Sequence, residues 1–305
     1  MEFRVHHYEA FSPEPGKGNP AGVVLDAQGL SDVTMQMIAK QVGFNETAFV
    51  LPSTVADVRL RYFTPGHEID LCGHATVASL FALYDRGRRS PGELVVETRA
   101  GILSMAIQLV GNKPRIEMMQ APAEFVPFRG DPATLAHILG ISSSDLHPEL
   151  PVVFASTGTW TLLVPVKNLR ALRAMHPQST AFPSALHQMP RSSMHPFCLE
   201  ADATEADLSA RHFSSPFSGT VEDPITGTAS GAMGAFMAMH AESWMVDRNH
   251  SIIVEQGKDV GRDGRVHVSV TNRQPPFLVK IAGTASYVKD MGIVASADTL
   301  CDPPS

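Results

Sequence analysis

The chain reads as an α/β protein, with strands and helices mixed in two similar lobes, each a twisted sheet around a buried helix. Three observations predict this. The first is an internal repeat. Glu68-Ile69-Asp70-Leu71-Cys72-Gly73-His74-Ala75-Thr76 lines up with Glu222-Asp223-Pro224-Ile225-Thr226-Gly227-Thr228-Ala229-Ser230 when Gly73 is set on Gly227, an offset of 227 − 73 = 154. At that offset Glu68 falls on Glu222, Ala75 on Ala229, Thr76 on Ser230, Ala78 on Ala232 and Phe63 on Phe217. The second is the uncharged run after each glycine. Ala75–Tyr84 carries no charged residue before Asp85, and the run opened by Thr228 carries none before Glu242. A helix that is apolar all round must be enclosed on all sides. The third is a supply of strands to enclose it: Glu93–Thr98, Ile102–Val110 and Pro114–Gln120 after the first helix, and Ser251–Gln256, Val266–Thr271, Leu278–Ala282 and Tyr287–Val294 after the second.

Taken in order, residues 3–11 form a strand ending at Ser12-Pro13. Pro15-Gly16-Lys17-Gly18-Asn19-Pro20-Ala21-Gly22 is a loop of fixed shape, dense in Gly, Pro and Asn, before the strand Val23–Leu25. Ser31 is a good N-cap for a helix with Met35, Ile38, Ala39 and Val42 on one face. Glu46 then sits where a loop enters the apolar strand Thr47–Leu51. Buried there, a carboxyl would resist ionising, and a raised pKa suits a general acid/base. The alternative is a solvated strand-end glutamate. Ala56–Phe63 alternates, with Val58, Leu60 and Tyr62 on one face. In the second half Ala133–Leu139 is a helix, Thr159–Val166 a strand echoing Thr47–Pro52, Leu169–Met175 a short helix and Pro196–Glu200 a strand. Arg211-His212-Phe213 echoes Arg61-Tyr62-Phe63, with four residues more before the glycine.

The totals bound the function. At 305 residues the chain holds about two domains of ~150 residues each. Charged residues make up 18% and hydrophobic ones 44%, enough apolar side chain for a sizeable core. A net charge of −7 without a Lys/Arg cluster argues against nucleic acid as a partner. Cys72, Cys198 and Cys301 are odd in number and widely spaced, neither a disulfide framework nor a zinc pattern. No histidine pair has metal-ligand spacing on a helix, so no metal is expected. The N-terminus lacks a signal peptide's apolar core and no run reaches the ~18 apolar residues that span a membrane, so the expectation is a soluble cytoplasmic protein with no membrane partner. Ser296–Ser305 is expected to fray.

Each organising stretch has the grammar of a loop feeding a helix N-terminus. Such an end offers unpaired N–H groups and the positive pole of the helix. Two facing each other across a cleft between lobes would grip a small anionic metabolite, most simply a carboxylate.

Gly18-Asn19-Pro20-Ala21, Asn45-Glu46-Thr47-Ala48-Phe49-Val50, Phe63-Thr64-Pro65, Leu71-Cys72-Gly73-His74-Ala75-Thr76 and Glu222-Asp223-Pro224-Ile225-Thr226-Gly227-Thr228-Ala229 together resemble the PhzF family, the phenazine biosynthesis-like branch of the diaminopimelate epimerase fold superfamily. Glu255-Gln256-Gly257 and Gly261-Arg262 fit its late strand pattern, and the match runs in order from about residue 3 to 294. The resemblance implies two pseudo-symmetric lobes, each a barrel-like, mostly antiparallel sheet around a central helix. Residues 1–122 would form the first lobe, with 284–296 crossing back to it, residues 123–283 the second, and 297–305 a tail. It implies no metal or organic cofactor and a homodimer. The family's characterised chemistry is proton relocation in trans-2,3-dihydro-3-hydroxyanthranilate, en route to phenazines. By the motif, Glu46 is the proton-shuttling acid/base, and His74 and Asp223 are polar partners of the substrate. Asn19, Gly73, Gly227, Thr228 and Ala229 bind it, Thr228 standing in for the family's usual serine.

Related racemases use two cysteines, one before each glycine. Here Cys72 has Thr226 as its counterpart, and a threonine hydroxyl is far too weak an acid to replace a thiol. Cys72 then reads as a small packed residue or a nucleophile. Three functions are open: an isomerase of a small amino- or hydroxy-carboxylate working through Glu46, an amino-acid epimerase using Cys72 and Glu46, or a non-catalytic metabolite-binding protein. The Cys-Gly-His-Ala-Thr form is the broad family version, whereas enzymes dedicated to phenazine synthesis are expected to carry Ala before the glycine and Pro after the histidine. The stretch therefore does not favour a phenazine role.

Overall fold

The computed structural model describes residues 2–218, 220–272 and 275–294. The tail expected from residue 297, and Cys301 in it, lie outside the described residues. The chain divides into two compact units, the first comprising residues up to Met118 together with those from Gly283 onward, the second running from Met119 to Ala282.

In the first unit, strand Ala285–Val294 pairs antiparallel with Glu2–Ala10, which pairs antiparallel with Asn19–Val24. Asn19–Val24 runs parallel to Thr47–Leu51, Thr47–Leu51 antiparallel to Val58–Phe63, and Val58–Phe63 parallel to Gly92–Thr98. Gly101–Val110 and Lys113–Met119 continue antiparallel. Alternation does the sorting: in Gly92–Thr98, Leu94, Val96 and Thr98 are buried and their neighbours are not. The helix Gly73–Asp85 buries every residue from His74 to Leu80, plus Ala82 and Leu83, as a chargeless helix must. A second helix, Asp32–Val42, starts at Ser31, whose Oγ accepts from Thr34 N at 3.2 Å, and stops at Gly43 with φ 72°. It packs Met35, Ile38 and Ala39 against Val5, Val24, Phe49, Phe63 and Ile293.

The second unit repeats the pairing order. Glu124–Pro127, Val153–Ser156 and Trp160–Pro165 are successively antiparallel. Trp160–Pro165 is parallel to Ser193–Cys198, Ser193–Cys198 antiparallel to Leu208–Ala210, and Leu208–Ala210 parallel to Ser251–Gln256. Gly264–Val270 and Val279–Gly283 come next, both antiparallel. The helix Gly227–His240 is again buried almost throughout. Its glycines admit the sheet: a Cβ at Gly234 would lie 2.5 Å from Val268 Cγ1, and one at Gly231 would lie 3.2 Å from Ile281. Each unit's first strand in this order comes directly after the other unit's last in sequence.

The pairing order corrects two readings. Strand Trp160–Pro165 occupies the place of Asn19–Val24, not of Thr47–Leu51. The counterpart of Thr47–Leu51 is Ser193–Cys198, which starts earlier than the expected Pro196. Pro196 lies inside that strand and its carbonyl accepts from Arg211 N at 2.9 Å. Phe217 is not the counterpart of Phe63. It is exposed, whereas Phe213 is buried and bridges to Glu222 as Phe63 pairs with Glu68. The extra four residues fall between Phe213 and Glu222 and break the uniform offset there. Strands Glu124–Pro127, Val153–Ser156 and Leu208–Ala210 are additional to those expected.

Candidate active site

In the first unit, Glu46 is the last residue before strand Thr47–Leu51, anchored by its carbonyl, which accepts from Gly22 N at 3.2 Å. Cys72 caps the helix Gly73–Asp85 in extended conformation (φ −139°, ψ 115°) and makes no side-chain capping bond. The N–H groups of the first turn are therefore left for another acceptor. A Cβ at Gly73 would meet nothing within 4 Å, so the backbone there faces open space. His74, the second helical residue, turns its ring between two partners. Its Nε2 lies 3.1 Å from Glu46 Oε2 and its Nδ1 3.5 Å from Cys72 Sγ. The side chain of Glu46 is 18% exposed and that of His74 9%. The helix start is pinned from below: Thr76 N and Oγ1 donate to Cys72 O at 3.0 and 2.7 Å, and Tyr62 Oη lies 2.6 Å from Thr76 Oγ1.

The electrostatics are set by that packing. Burial opposes a charge on His74, but Cys72 and Glu46 outweigh it and hold the imidazole well above its ordinary value. The Cys72 thiol is pushed up by burial and by the negative charge of Glu46. Asn19 is fully buried at the start of its strand, opposite Ala10. The loop before it does have a fixed shape: Glu9 Oε2 accepts from Gly16 N at 2.6 Å and Gly18 N at 3.2 Å.

In the second unit, Thr226 caps the helix Gly227–His240 with nearly the same backbone (φ −119°, ψ 96°) and again no side-chain capping bond. Ser230 N and Oγ donate to Thr226 O at 3.1 and 2.9 Å, reproducing Thr76. Thr226 Oγ1 donates to Asp223 Oδ2 at 2.5 Å, and Thr228 O accepts from Thr157 Oγ1 at 3.0 Å. Gln256 clamps the turn, accepting from Thr226 N at 3.1 Å and donating to Asp223 O at 2.9 Å. Below it His212 and His195 bring their Nδ1 atoms to 3.2 Å. Burial drives both toward neutrality: His212 falls to about 4, and His195 falls well below its ordinary value.

An Arg–Glu fork supports each start. Arg61 Nε and Nη2 donate to the two oxygens of Glu68 at 2.7 and 2.8 Å, and Arg211 does the same to Glu222 at 3.0 and 2.8 Å. Each guanidinium also lies over a phenylalanine ring, Phe63 or Phe213. Thus Glu46, Cys72, Gly73 and His74 gather in the first unit, and Asp223, Gly227, Thr228 and Ala229 in the second. Sequence reasoning missed the forks, the Gln256 clamp and the histidine pair. The forks had a signal, since both the arginines and the glutamates recur; the histidine pair joins positions 17 apart with no pattern between them.

The sequence profile of the PhzC-PhzF family, described as phenazine biosynthesis-like protein, matches residues 8–291. The chain belongs to this family. An uncharacterized isomerase YfhB of Bacillus subtilis is 47% identical over 94% of this chain and 97% of its own. The trans-2,3-dihydro-3-hydroxyanthranilate isomerase of Pseudomonas chlororaphis is 29% identical over 85% and 88%. Among solved structures, a phenazine biosynthesis protein of the PhzF family from Bacillus anthracis superposes with TM-score 0.91 at 46% identity, covering 97% of this chain and 100% of that one. A hydroxyproline epimerase from Agrobacterium vitis, 11% identical, shares the fold at TM-score 0.58 over 96% and 92%. The fold is the expected diaminopimelate epimerase-like one. The protein is an isomerase of this PhzF family, which sets aside the non-catalytic alternative. Among the described residues no helix is long and apolar enough to cross a membrane.

Proposed function

We propose that the protein relocates a proton on a small amino- or hydroxy-carboxylate, with Glu46 as its single acid/base. The observation that carries this is the placement of one carboxylate against one histidine at an uncapped helix start. The Glu46 carboxylate takes a proton from a carbon of the bound acid; the C–H bond breaks and its electron pair spreads into the conjugated carboxylate. The same carboxyl then returns the proton to another carbon on the same face. The N–H groups of the first helical turn at Gly73 receive the anionic charge that builds up. His74, cationic beside Glu46, fixes the carboxylate's direction. Asn19 lines the bound acid.

The register of the second unit supports a one-base scheme. Phe63 pairs with Thr47, and Phe213 bridges to Met194, so the residue corresponding to Glu46 is Ser193. Ser193 Oγ is spent on Thr161 Oγ1 at 2.9 Å, and a serine hydroxyl is no base at neutral pH. The relative named for trans-2,3-dihydro-3-hydroxyanthranilate makes cyclic, unsaturated amino acids the first substrates to try. The test is deuterium uptake from solvent into such candidates. Wild-type exchange and a silent Glu46→Gln variant are expected; exchange at the wild-type rate in Glu46→Gln removes Glu46 from the chemistry.

A further inference from the structure

The second unit holds a polar row that the proposed chemistry does not use. Phe213 bridges to Met194 on one side and to Glu222 on the other, so one step along, His195, His212 and Asp223 stand side by side across three adjacent segments. Residues directly opposite in antiparallel pairing share a face, with Cβ atoms about 5 Å apart. The matching row of the first unit is Ala48, Tyr62 and Ile69, and Tyr62 reaches the first turn of its helix at Thr76. The row of the second unit therefore faces the first turn of Gly227–His240, whose cap, Thr226, donates to Asp223 Oδ2 at 2.5 Å. His195 Nδ1 and His212 Nδ1 are 3.2 Å apart and the ring centroids 5.4 Å, which is the gap between the nitrogens plus one ring radius on each side, so the two nitrogens meet head-on. Burial lowers both imidazoles, His212 to about 4, so both are neutral near neutral pH. One Nδ1 thus carries a hydrogen and the other accepts it.

Which is which follows from the far sides of the rings. His195 Nε2 is buried and meets no partner among the described residues. Buried N–H groups without an acceptor are rarer than buried acceptors without a donor, so His195 keeps Nε2 bare and donates from Nδ1. His212 then carries its hydrogen on Nε2, which makes no hydrogen bond among the described residues, in a residue 8% exposed. We propose that the His212 Nε2–H and the Asp223 carboxylate together bind the hydroxyl of a small hydroxy-carboxylate at the second helix start, with His195 as the positioning residue that sets the tautomer. The hydroxyl oxygen accepts from Nε2–H and its hydrogen goes to Asp223, whose carboxylate has lone pairs beyond the one that Thr226 uses. An ammonium has no lone pair for Nε2–H and would leave that donor unpaired. A carboxylate placed there would meet the charge of Asp223, whereas the ligand's own carboxylate can take the N–H groups of the first turn, which no side chain caps. The site is built from the second unit alone, so it does not rest on Glu46.

The test uses the full chain with isotope-labelled histidine and two probes of similar size, glycolate and glycine. Long-range proton–nitrogen spectra near neutral pH should show His195 carrying its hydrogen at Nδ1 and His212 at Nε2. Glycolate should shift the His212 Nε2 resonance saturably, and glycine should bind about tenfold more weakly, the weight of one lost hydrogen bond. His195→Ala, which copies Ala48 of the first unit's row, frees the tautomer of His212 and should weaken glycolate several-fold while leaving glycine unchanged; a merely structural loss would weaken both alike. If that variant does not fold, the tautomers and the glycolate-to-glycine ratio of the wild type decide. His212 carrying its hydrogen at Nδ1, glycine binding as tightly as glycolate, or no shift with either probe overturns the site. None of these readings uses exchange at carbon, so their failure leaves the role of Glu46 standing, and silent deuterium exchange leaves this site standing.

Discussion

At Gly73 and at Gly227 the chain builds the same helix start and furnishes it differently. The extended cap without a side-chain bond, the hydroxyl donating back to the cap carbonyl and the Arg–Glu fork recur at both. The first start carries a histidine set between Glu46 and Cys72 and shifted upward; the second carries Asp223 tied to Thr226 and lies near two histidines that burial shifts downward. The backbone and the fork are what the fold demands, since a buried helix end must have its cap fixed by something. The side chains that differ are where chemistry was free to diverge. Asymmetry of this kind suits a reaction that takes and returns one proton on one face, and does not suit two opposed bases.

The sharpest way to break the comparison is to exchange nothing but the base. Glu46→Gln should lower solvent-deuterium exchange by about 10²–10⁴-fold, the usual weight of a general base, while Ser193→Ala at the corresponding place should change it little. Comparable losses in both variants would restore a symmetric, two-base scheme.

The forks look alike and should not cost alike. Arg211→Ala leaves the mostly enclosed Glu222 without its fork and strips the donors of Leu172 O and Met175 O, so urea unfolding should show a loss of about 3–5 kcal/mol. Arg61→Ala should cost less, about 1–3 kcal/mol, because Arg99 still reaches Glu68 at 3.0 Å. Equal losses would mean that Arg99 gives Glu68 no support.

Mild acid should separate the two units. His212 titrates at about 4 when folded, below the ordinary 6.5, so the unfolded chain takes the proton first as pH falls. Stability from this group is present above about 6.5 and shrinks toward pH 4, by about 3 kcal/mol at the low end. His74 runs the other way: its folded value is raised, so its contribution is fully present below 6.5 and fades only as pH climbs through the folded value. Hydrogen exchange at pH 5 should therefore speed in strand Ser193–Cys198 and not in Thr47–Leu51. A His212→Tyr variant, borrowing the residue of the first unit, should flatten the difference.

Much of this is legible without coordinates. The two buried helices declare themselves through missing charge, and Glu46 through its place between a Gly-Phe-Asn turn and an apolar strand. The readings that fail do so for physical reasons. An ungapped offset cannot see four residues inserted between Phe213 and Glu222, so it sets Phe217 against Phe63 in place of Phe213. Short strands such as Leu208–Ala210 carry too few residues for alternation to register. The Gln256 clamp and the His195–His212 pair join residues far apart in sequence, and only folding brings them within hydrogen-bond reach.

Cys72→Ala is expected to have the smallest effect on turnover and decides the most about lineage. Burial and the charge of Glu46 raise the thiol, and its counterpart at the second helix start is Thr226. A thiol that resists ionising is a poor proton acceptor near neutral pH, and the methyl of alanine fills most of the same small space. Deuterium exchange in Cys72→Ala should stay within about threefold of wild type, with any change in unfolding free energy below about 1.5 kcal/mol, as for small buried swaps. A loss matching that of Glu46→Gln would instead make sulfur and carboxylate the two arms of one epimerase, one taking the proton and the other replacing it from the opposite face.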